Sequence, residues 1–389
     1  MRAVTLYLTG RCNLRCRHCA VGADQDEHRA DPGTEELKAI LSGIAEGGGK
    51  YVTLLGGEAT IYRRDLTELL DHAETIGLEV SINTNATAYP PLSALLDKPA
   101  LGTLVVSLDG ASPATHDAMR GARTFQRTLA TLSRIISHPR VRAGRLAIEI
   151  SYVISRLNHA DTGRMVMLAI DLGVRRLNAK HVKLTGRALD HAASLELASE
   201  ELLEAYSTLL MTWVASGKKI ELDVHVPPAL AYYLRARFGL AYPIDDHPAC
   251  GGIGEFGYVD LVGNYLPCPA MSYEEDTASG MKALRPDLSL ALRPAAEVHA
   301  TPLFADFENR RRRRAHRDRL FPCRICRFSD LSRPCTADLV KGDETAEIDI
   351  CKAVFDCGDS EVPGVRADVF PGEAASVQNL QKQAVIDAF

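Results

Sequence analysis

The residues most able to do chemistry are ten cysteines, and three of them come early. Cys12, Cys16 and Cys19 form C-x3-C-x2-C just after a short apolar run. Three thiolates in one loop can bind three irons of a cubane cluster and leave the fourth iron open to a substrate or cofactor. Zinc is the competing metal; it normally takes a fourth donor, and His18 is the only local one. A third possibility is three unrelated buried cysteines. The other seven, Cys250, Cys268, Cys323, Cys326, Cys335, Cys351 and Cys357, crowd the C-terminal part. Cys250 to Cys268 reads C-x12-G-x4-C through Gly263, and Cys323 with Cys326 is a C-x2-C pair. Taken alone, that pair is a common zinc spacing.

The elements that must hold the first trio alternate between two periodicities. Strand-like runs fall at Val4–Leu8, Tyr51–Leu55, Leu78–Ile82, Leu104–Leu108, Leu146–Ile154 and Val174–Val182. Helical spacing falls between them at Thr34–Ala45, Leu66–Ile76, Phe125–Ile136 and Met165–Leu172. Thr34 reads as an N-cap, with Leu37, Ile40, Leu41 and Ile44 on one face. Strands alternating with helices predict a parallel sheet with crossover helices, whose functional residues sit at the C-terminal strand ends. A helix is expected over Ser199–Val214, a strand over Ile220–Val224 and a short helix over Val377–Phe389.

At roughly 150 residues per domain, 389 residues predict two or three domains. Apolar residues at 46% and charged residues at 24% exclude a disordered or collagenous chain. A net charge of -5 gives no reason to expect nucleic acid or an anionic membrane as partner. No run of apolar residues is long enough to span a membrane, and the N-terminus does not read as a secretory signal. The expected location is the cytoplasm, where cysteines serve as ligands or catalysts more than as disulfides.

The stretch Cys12-Asn13-Leu14-Arg15-Cys16-Arg17-His18-Cys19 resembles the C-x3-C-x-φ-C signature of radical S-adenosylmethionine (radical SAM) enzymes. Later pieces extend the resemblance in order. Gly56-Gly57-Glu58 resembles the GGE segment that holds the methionine amino group; glycines expose carbonyls, and a carboxylate accepts from an ammonium. Thr84-Asn85 resembles a T-N-G turn, with Ala86 in place of glycine. Ser107-Leu108-Asp109-Gly110 resembles S-x-D-G, whose polar side chains meet the ribose. His116-Asp117, Arg120-Gly121 and Phe125 match a pattern common in one branch of the family. The resemblance implies cofactor contacts from His18 (adenine), Gly56, Gly57, Glu58, Asn85, Ser107 and Asp109. It implies an α/β fold: a partial (β/α)6 TIM-like barrel over 1–190, a connecting helical segment over 191–246, a cysteine-rich domain over 247–357 and a tail over 358–389.

The seven later cysteines resemble the SPASM extension of these enzymes, which carries two auxiliary four-iron clusters. By that resemblance Cys250, Cys268 and Cys351 hold one, and Cys323, Cys326, Cys335 and Cys357 the other. The middle spacing, C-x2-C-x8-C-x15-C-x5-C, departs from the family pattern. His247 and Asp260 are non-cysteine candidates for the first auxiliary cluster. Sulfatase-maturing relatives place an Asp after the second auxiliary cysteine; here Pro269 follows Cys268.

Implied cofactors are three [4Fe–4S] clusters and S-adenosylmethionine, fed by an external one-electron reductant. The implied reaction makes a 5'-deoxyadenosyl radical that takes hydrogen from a substrate carbon. SPASM enzymes commonly modify ribosomally made peptides, by crosslink, excision or another oxidative change. The chain opens almost at its first strand, so leader recognition is expected from a separate leader-binding protein. A small natural-product precursor is the alternative substrate; a zinc-stabilised or electron-carrying binding protein is the non-enzyme alternative. Arg310–Arg314 reads as a solvated basic face or a dock for an acidic peptide, and Tyr232, Tyr233 and Phe238 as core.

Overall fold

The computed structural model describes residues 2–23, 31–62, 65–224, 226–240, 256–269, 283–312, 349–361 and 363–370. Six strands run β1 Ala3–Tyr7, β2 Tyr51–Leu55, β3 Glu79–Thr84, β4 Leu101–Ser107, β5 Ala147–Ile154 and β6 Arg176–His181. They are joined by β7 Glu221–Val224, β8 Phe256–Val259 and β9 Tyr265–Leu266 into one sheet ordered β7-β6-β5-β4-β3-β2-β1-β8-β9. Every neighbouring pair is parallel except β8 with β9. β1 through β6 lie in sequence order, as a (β/α)6 barrel requires, and the sheet stays open between its β7 and β9 edges. The six expected strands are present with boundaries moved by up to three residues. What the sequence did not predict is the far edge: Phe256–Val259 pairs in register with Ala3–Leu6, which places the later hairpin beside the strand that leads into Cys12.

Crossover helices cover the sheet. The helix Thr34–Glu46 buries Leu37, Ile40, Leu41 and Ile44, the expected face. Its N-cap is Gly33 rather than Thr34, which stands as the first helical residue, and no side chain caps it. Further crossovers are Leu66–Thr75, Thr124–Ile136 and Thr162–Asp171. Because the strands are parallel, the loops after β1 to β6 all leave from the same end of the sheet.

The chain divides into two compact units. The first comprises Met1–Glu196, Thr212–Val224 and Gly252–Glu308, and holds the whole sheet. The second comprises Leu197–Met211, His225–Gly251 and Asn309–Phe389. In the second, the helix Pro228–Phe238 packs against Asp349–Glu361 and Val365–Val369. Tyr232 Oη donates to Asp368 at 2.7 Å, Arg366 Nε donates to the Phe355 carbonyl at 2.8 Å, and the Phe355 and Phe370 rings meet edge-on at 5.3 Å. Of the three aromatics read as core, Tyr233 is buried, whereas Phe238 is exposed. The helix Pro302–Arg312 takes in the start of the arginine run; Arg313, Arg314 and the segment 377–389 lie outside the described residues. No helix among the described residues is long and apolar enough to cross a membrane.

Candidate functional site

The site is assembled where β1 to β6 end. β1 runs out into Thr9–Arg11, which lies against the chain leaving β2: Gly57 N–H donates to the Thr9 carbonyl at 2.7 Å and Glu58 N–H to the Arg11 carbonyl at 2.9 Å. A Cβ on Gly57 would collide with the Arg11 carbonyl. The glycine pair therefore also lets two backbones touch, just before Cys12.

Cys12 and Cys16 are buried and Cys19 is half-buried. Burial pushes the Cys12 thiol up to about 12 and raises Cys16 as well, with the neighbouring thiols adding to both. Arg120 works against the shift at Cys16, with its Nη1 at 4.0 Å from Cys16 Sγ. Left to themselves these thiols stay protonated; becoming thiolates requires a cation to take their charge. No three His, Cys, Asp or Glu side chains among the described residues converge as on a single metal ion. A cubane makes no such demand, since each cysteine holds a different iron.

Glu58 is buried and ties three segments together. Its Oε1 accepts from Thr60 N–H at 3.1 Å, Thr60 Oγ1 at 2.6 Å and Thr84 Oγ1 at 2.7 Å, and Oε2 from Asn85 N–H at 2.7 Å. Asn85, just past β3, donates through Nδ2 to Asn13 Oδ1 at 2.8 Å, so the β3 loop grips the cysteine loop. Ala86 sits in the left-handed region at φ 51°, the conformation for which the family turn uses glycine.

Ser107, the last residue of β4, is half-buried, and Asp109 just past it is fully buried. Asp109 Oδ2 accepts from Arg120 Nε at 2.5 Å and lies 3.2 Å from His18 Nε2; Oδ1 accepts from Val153 N–H at 2.8 Å. Burial opposes its charge, but Arg120, with His18, the Val153 N–H and His116, holds the carboxyl below its ordinary value. Its carboxylate is thus engaged inside the protein. Burial lowers His18 to about 4, so the ring is neutral at physiological pH; its Nδ1 is buried with no hydrogen-bond partner.

The His116-Asp117-x-x-Arg120-Gly121 pattern now has physical content. Ser112 caps the helix Pro113–Arg120, and a spacing of three and four puts His116, Met119 and Arg120 on one buried face. His116 Nδ1 accepts from Asp109 N–H at 3.1 Å, and its ring meets Phe125 edge-on at 5.7 Å. Asp117 accepts from Arg123 N–H at 2.7 Å and Phe125 N–H at 2.8 Å, and so starts the next helix.

Sequence reasoning missed Gly186 and Arg187, beyond β6. Arg187 Nη1 donates to the Cys16 carbonyl at 3.2 Å, and its Nη2 to Gly22 at 2.8 Å and Ala23 at 2.6 Å. Its N–H donates to the Cys19 carbonyl at 3.0 Å. Gly186, at φ 55°, packs where a Cβ would strike the Ala20 carbonyl. No local signal marks either residue, because the loop they clasp lies more than 160 positions earlier.

Of the later cysteines, Cys268 follows β9 in the first unit. The β8–β9 turn explains the glycine of C-x12-G-x4-C: Gly263 is left-handed at φ 92°. Asp260 is occupied there, accepting from Val262 N–H at 3.0 Å, Asn264 N–H at 2.8 Å and Asn264 Nδ2 at 3.1 Å. Cys351 and Cys357 are both buried on the helix Asp349–Glu361 of the second unit. Cys250, Cys323, Cys326, Cys335 and His247 lie outside the described residues.

The site is a buried cysteine loop held at the C-terminal end of a parallel sheet, and comparison with known proteins gives the family. Residues 6–141 match the model of the radical SAM superfamily. The PqqA peptide cyclase of Streptomyces rochei is 30% identical over 290 residues, 73% of this chain and 73% of that one. The mycofactocin maturase MftC of Mycobacterium tuberculosis is 28% identical over 270 residues, 68% of this chain and 64% of that relative. Streptococcus suis SuiB, solved with S-adenosylmethionine bound, superposes with a TM-score of 0.66 at 17% identity, over 90% of this chain and 77% of that chain. SuiB has also been solved bound to its precursor peptide SuiA.

The chain belongs to the radical SAM superfamily and is a radical SAM enzyme related to peptide cyclases and maturases. Its cofactors are accordingly a [4Fe–4S] cluster and S-adenosylmethionine. The residues present fit both: three cysteines on one loop, the Cys12 and Cys16 thiols buried and pushed up, and a buried imidazole nitrogen, His18 Nδ1, lacking a partner beside them.

Proposed function

We propose that this enzyme oxidatively modifies a ribosomally made peptide, by crosslink, excision or a related change at a carbon. The observation that carries the reading is the convergence, on one end of one parallel sheet, of the cysteine loop with the residues after β2, β3 and β4, in a chain whose relatives include a peptide cyclase.

In this reading Cys12, Cys16 and Cys19 hold the cluster, and His18 turns Nδ1 toward the adenine. Gly56 and Gly57 offer carbonyls to the methionine ammonium. Glu58 Oε2 accepts one hydrogen bond, from Asn85, and has capacity for that ammonium as well. Asn85 and Ser107 border the ribose, while Asp109 acts through His18 and Arg120, which it holds. When bound, the cluster supplies one electron to the sulfonium of S-adenosylmethionine, yielding a 5'-deoxyadenosyl radical that takes hydrogen from the substrate.

Two auxiliary clusters complete the reading, one on Cys250, Cys268 and Cys351, the other on Cys323, Cys326, Cys335 and Cys357, to accept the electron left on the substrate. Cys351 and Cys357 are six residues apart on one helix, so they point about 120° apart around its axis. That divergence suits ligation of two different clusters.

The test is anaerobic co-expression with each short peptide found encoded near the gene, together with any leader-binding protein found there, followed by mass spectrometry of the peptides. A loss of hydrogen mass, absent from a Cys16→Ala co-expression, supports the proposal. No such peptide near the gene, or every candidate unchanged while 5'-deoxyadenosine is still formed, overturns it in favour of a small natural-product precursor.

A further inference from the structure

We propose that Arg120, oriented by Asp109, sets the reduction potential of the cluster on Cys12, Cys16 and Cys19; this rests on the cluster assignment above.

The starting point is a buried charge that the fold does not need for its own sake. Arg120 is 9% exposed and its partner Asp109 is fully buried. Removing a guanidinium and a carboxylate from water is expensive, and apolar residues of the same size often serve a core as well or better. The helix Pro113–Arg120 already has an apolar anchor in Met119, one residue away on the buried face. An arginine kept in such a place asks for a reason beyond packing.

Its contacts supply one. Arg120 Nε is fixed by Asp109 Oδ2 at 2.5 Å, and Asp109 is itself fixed by the Val153 N–H at 2.8 Å. The guanidinium therefore has a set orientation, with Nη1 at 4.0 Å from Cys16 Sγ. Other charged groups among the described residues act differently on the trio. Arg187 directs its nitrogens to the carbonyls of Cys16, Gly22 and Ala23, and Glu58 adds a negative charge on the Cys12 side. Arg120, by contrast, points a guanidinium nitrogen at a ligand sulfur.

A one-electron reduction adds a negative charge to the cluster. A buried cation beside a ligand sulfur favours the reduced form, and a buried anion behind it opposes that effect. Hydrogen bonds to the sulfurs and net local charge are the protein's levers on such potentials. Arg120 and Asp109 are then opposed levers, and Arg120, nearer the sulfur, dominates. Arg120 is a positioning residue with a charge-specific effect: it touches a ligand, and its own geometry is set by Asp109.

The sign of the effect separates this role from simple scaffolding. Cluster potential is read by redox titration in the absence of S-adenosylmethionine, following the electron paramagnetic resonance signal that S-adenosylmethionine perturbs when added afterwards. Iron and sulfide content and a thermal melt accompany each variant. Arg120→Met should shift the potential to more negative values and Asp109→Asn to more positive ones. Arg120→Lys, which keeps the charge but not the fork, should fall between wild type and Arg120→Met. If Arg120→Met fails to take up iron, Arg120→Gln replaces it, with the same negative shift expected. Shifts of the same sign in the Arg120 and Asp109 variants, or an uncharged variant at the wild-type potential, overturn the inference. A wild-type protein with no cluster at the trio would instead fail the cluster assignment, and that is seen before any variant is made.

Discussion

Arg187→Ala is the sharpest perturbation of the cysteine loop, because it removes one side chain that holds three carbonyls. The guanidinium reaches Cys16 O at 3.2 Å, Gly22 O at 2.8 Å and Ala23 O at 2.6 Å. A hydrogen bond from a charged group contributes roughly 1.5–3 kcal/mol. Three from one half-buried side chain are not additive, and water replaces part of what is lost, so about 2–3 kcal/mol is expected for the set. That energy ties the loop to the chain after β6 and does not enter the sheet ladder, so the loss should appear as local opening. At about 1.4 kcal/mol per factor of ten, opening becomes roughly 30- to 150-fold easier. The reporters are the amides of Cys19 and Gly22, which donate to the Cys16 and Cys19 carbonyls. Hydrogen exchange on the iron-free protein should show those amides faster by that factor, with β3 and β4 unchanged. Iron uptake on reconstitution should fall. Unchanged exchange in the loop, or an equal increase throughout the sheet, would refute the clasp.

Three further outcomes follow from neighbouring residues. Asp117→Ala removes the acceptor at the start of the helix Thr124–Ile136 and should lower stability by about 1–2 kcal/mol in urea unfolding, as loss of a helix cap does. His116 is held down to about 4 by burial and by Arg120, so the unfolded chain takes its proton near 6.5 while the folded one does not. The stability this lends is present above pH 6.5 and is lost as pH falls toward 4; between pH 7 and pH 5 the iron-free wild type should lose about 2 kcal/mol more than His116→Asn, measured by urea unfolding. Ala86→Gly should leave stability within about 1 kcal/mol of wild type despite the lost methyl, because relief at φ 51° offsets it, whereas Ala86→Val should be clearly destabilised in the same melt.

How far the sequence reached depends on whether a signal was local. Tyr51–Leu55 is a compact run of aromatic, β-branched and leucine residues that buries Val52 and Leu54 and ends at a glycine pair, which is why its bounds are legible to the residue. Spacing alone marks Cys12, Cys16 and Cys19 as a candidate ligand set. The start of the first helix was misplaced by one residue because Thr34 is a good cap by type, whereas the turn is made by Gly33. The motif puts Asp109 after β4 and among the expected ribose contacts, but nothing in Ser-Leu-Asp-Gly says that the carboxylate turns inward to Arg120. Gly186, Arg187 and the pairing of β8 with β1 were invisible, because each depends on partners far away in the chain. The two glycines of the GGE segment were read as exposing carbonyls; the structure adds a packing demand from the Arg11 carbonyl at Gly57.

The central claim is that Cys12, Cys16 and Cys19 carry the reactive cluster. Protein purified and reconstituted without oxygen, given dithionite and S-adenosylmethionine, should release 5'-deoxyadenosine, and the Cys16→Ala protein should release none. Cleavage by Cys16→Ala at the wild-type rate, or a wild-type trio that takes up zinc and no iron, would contradict it.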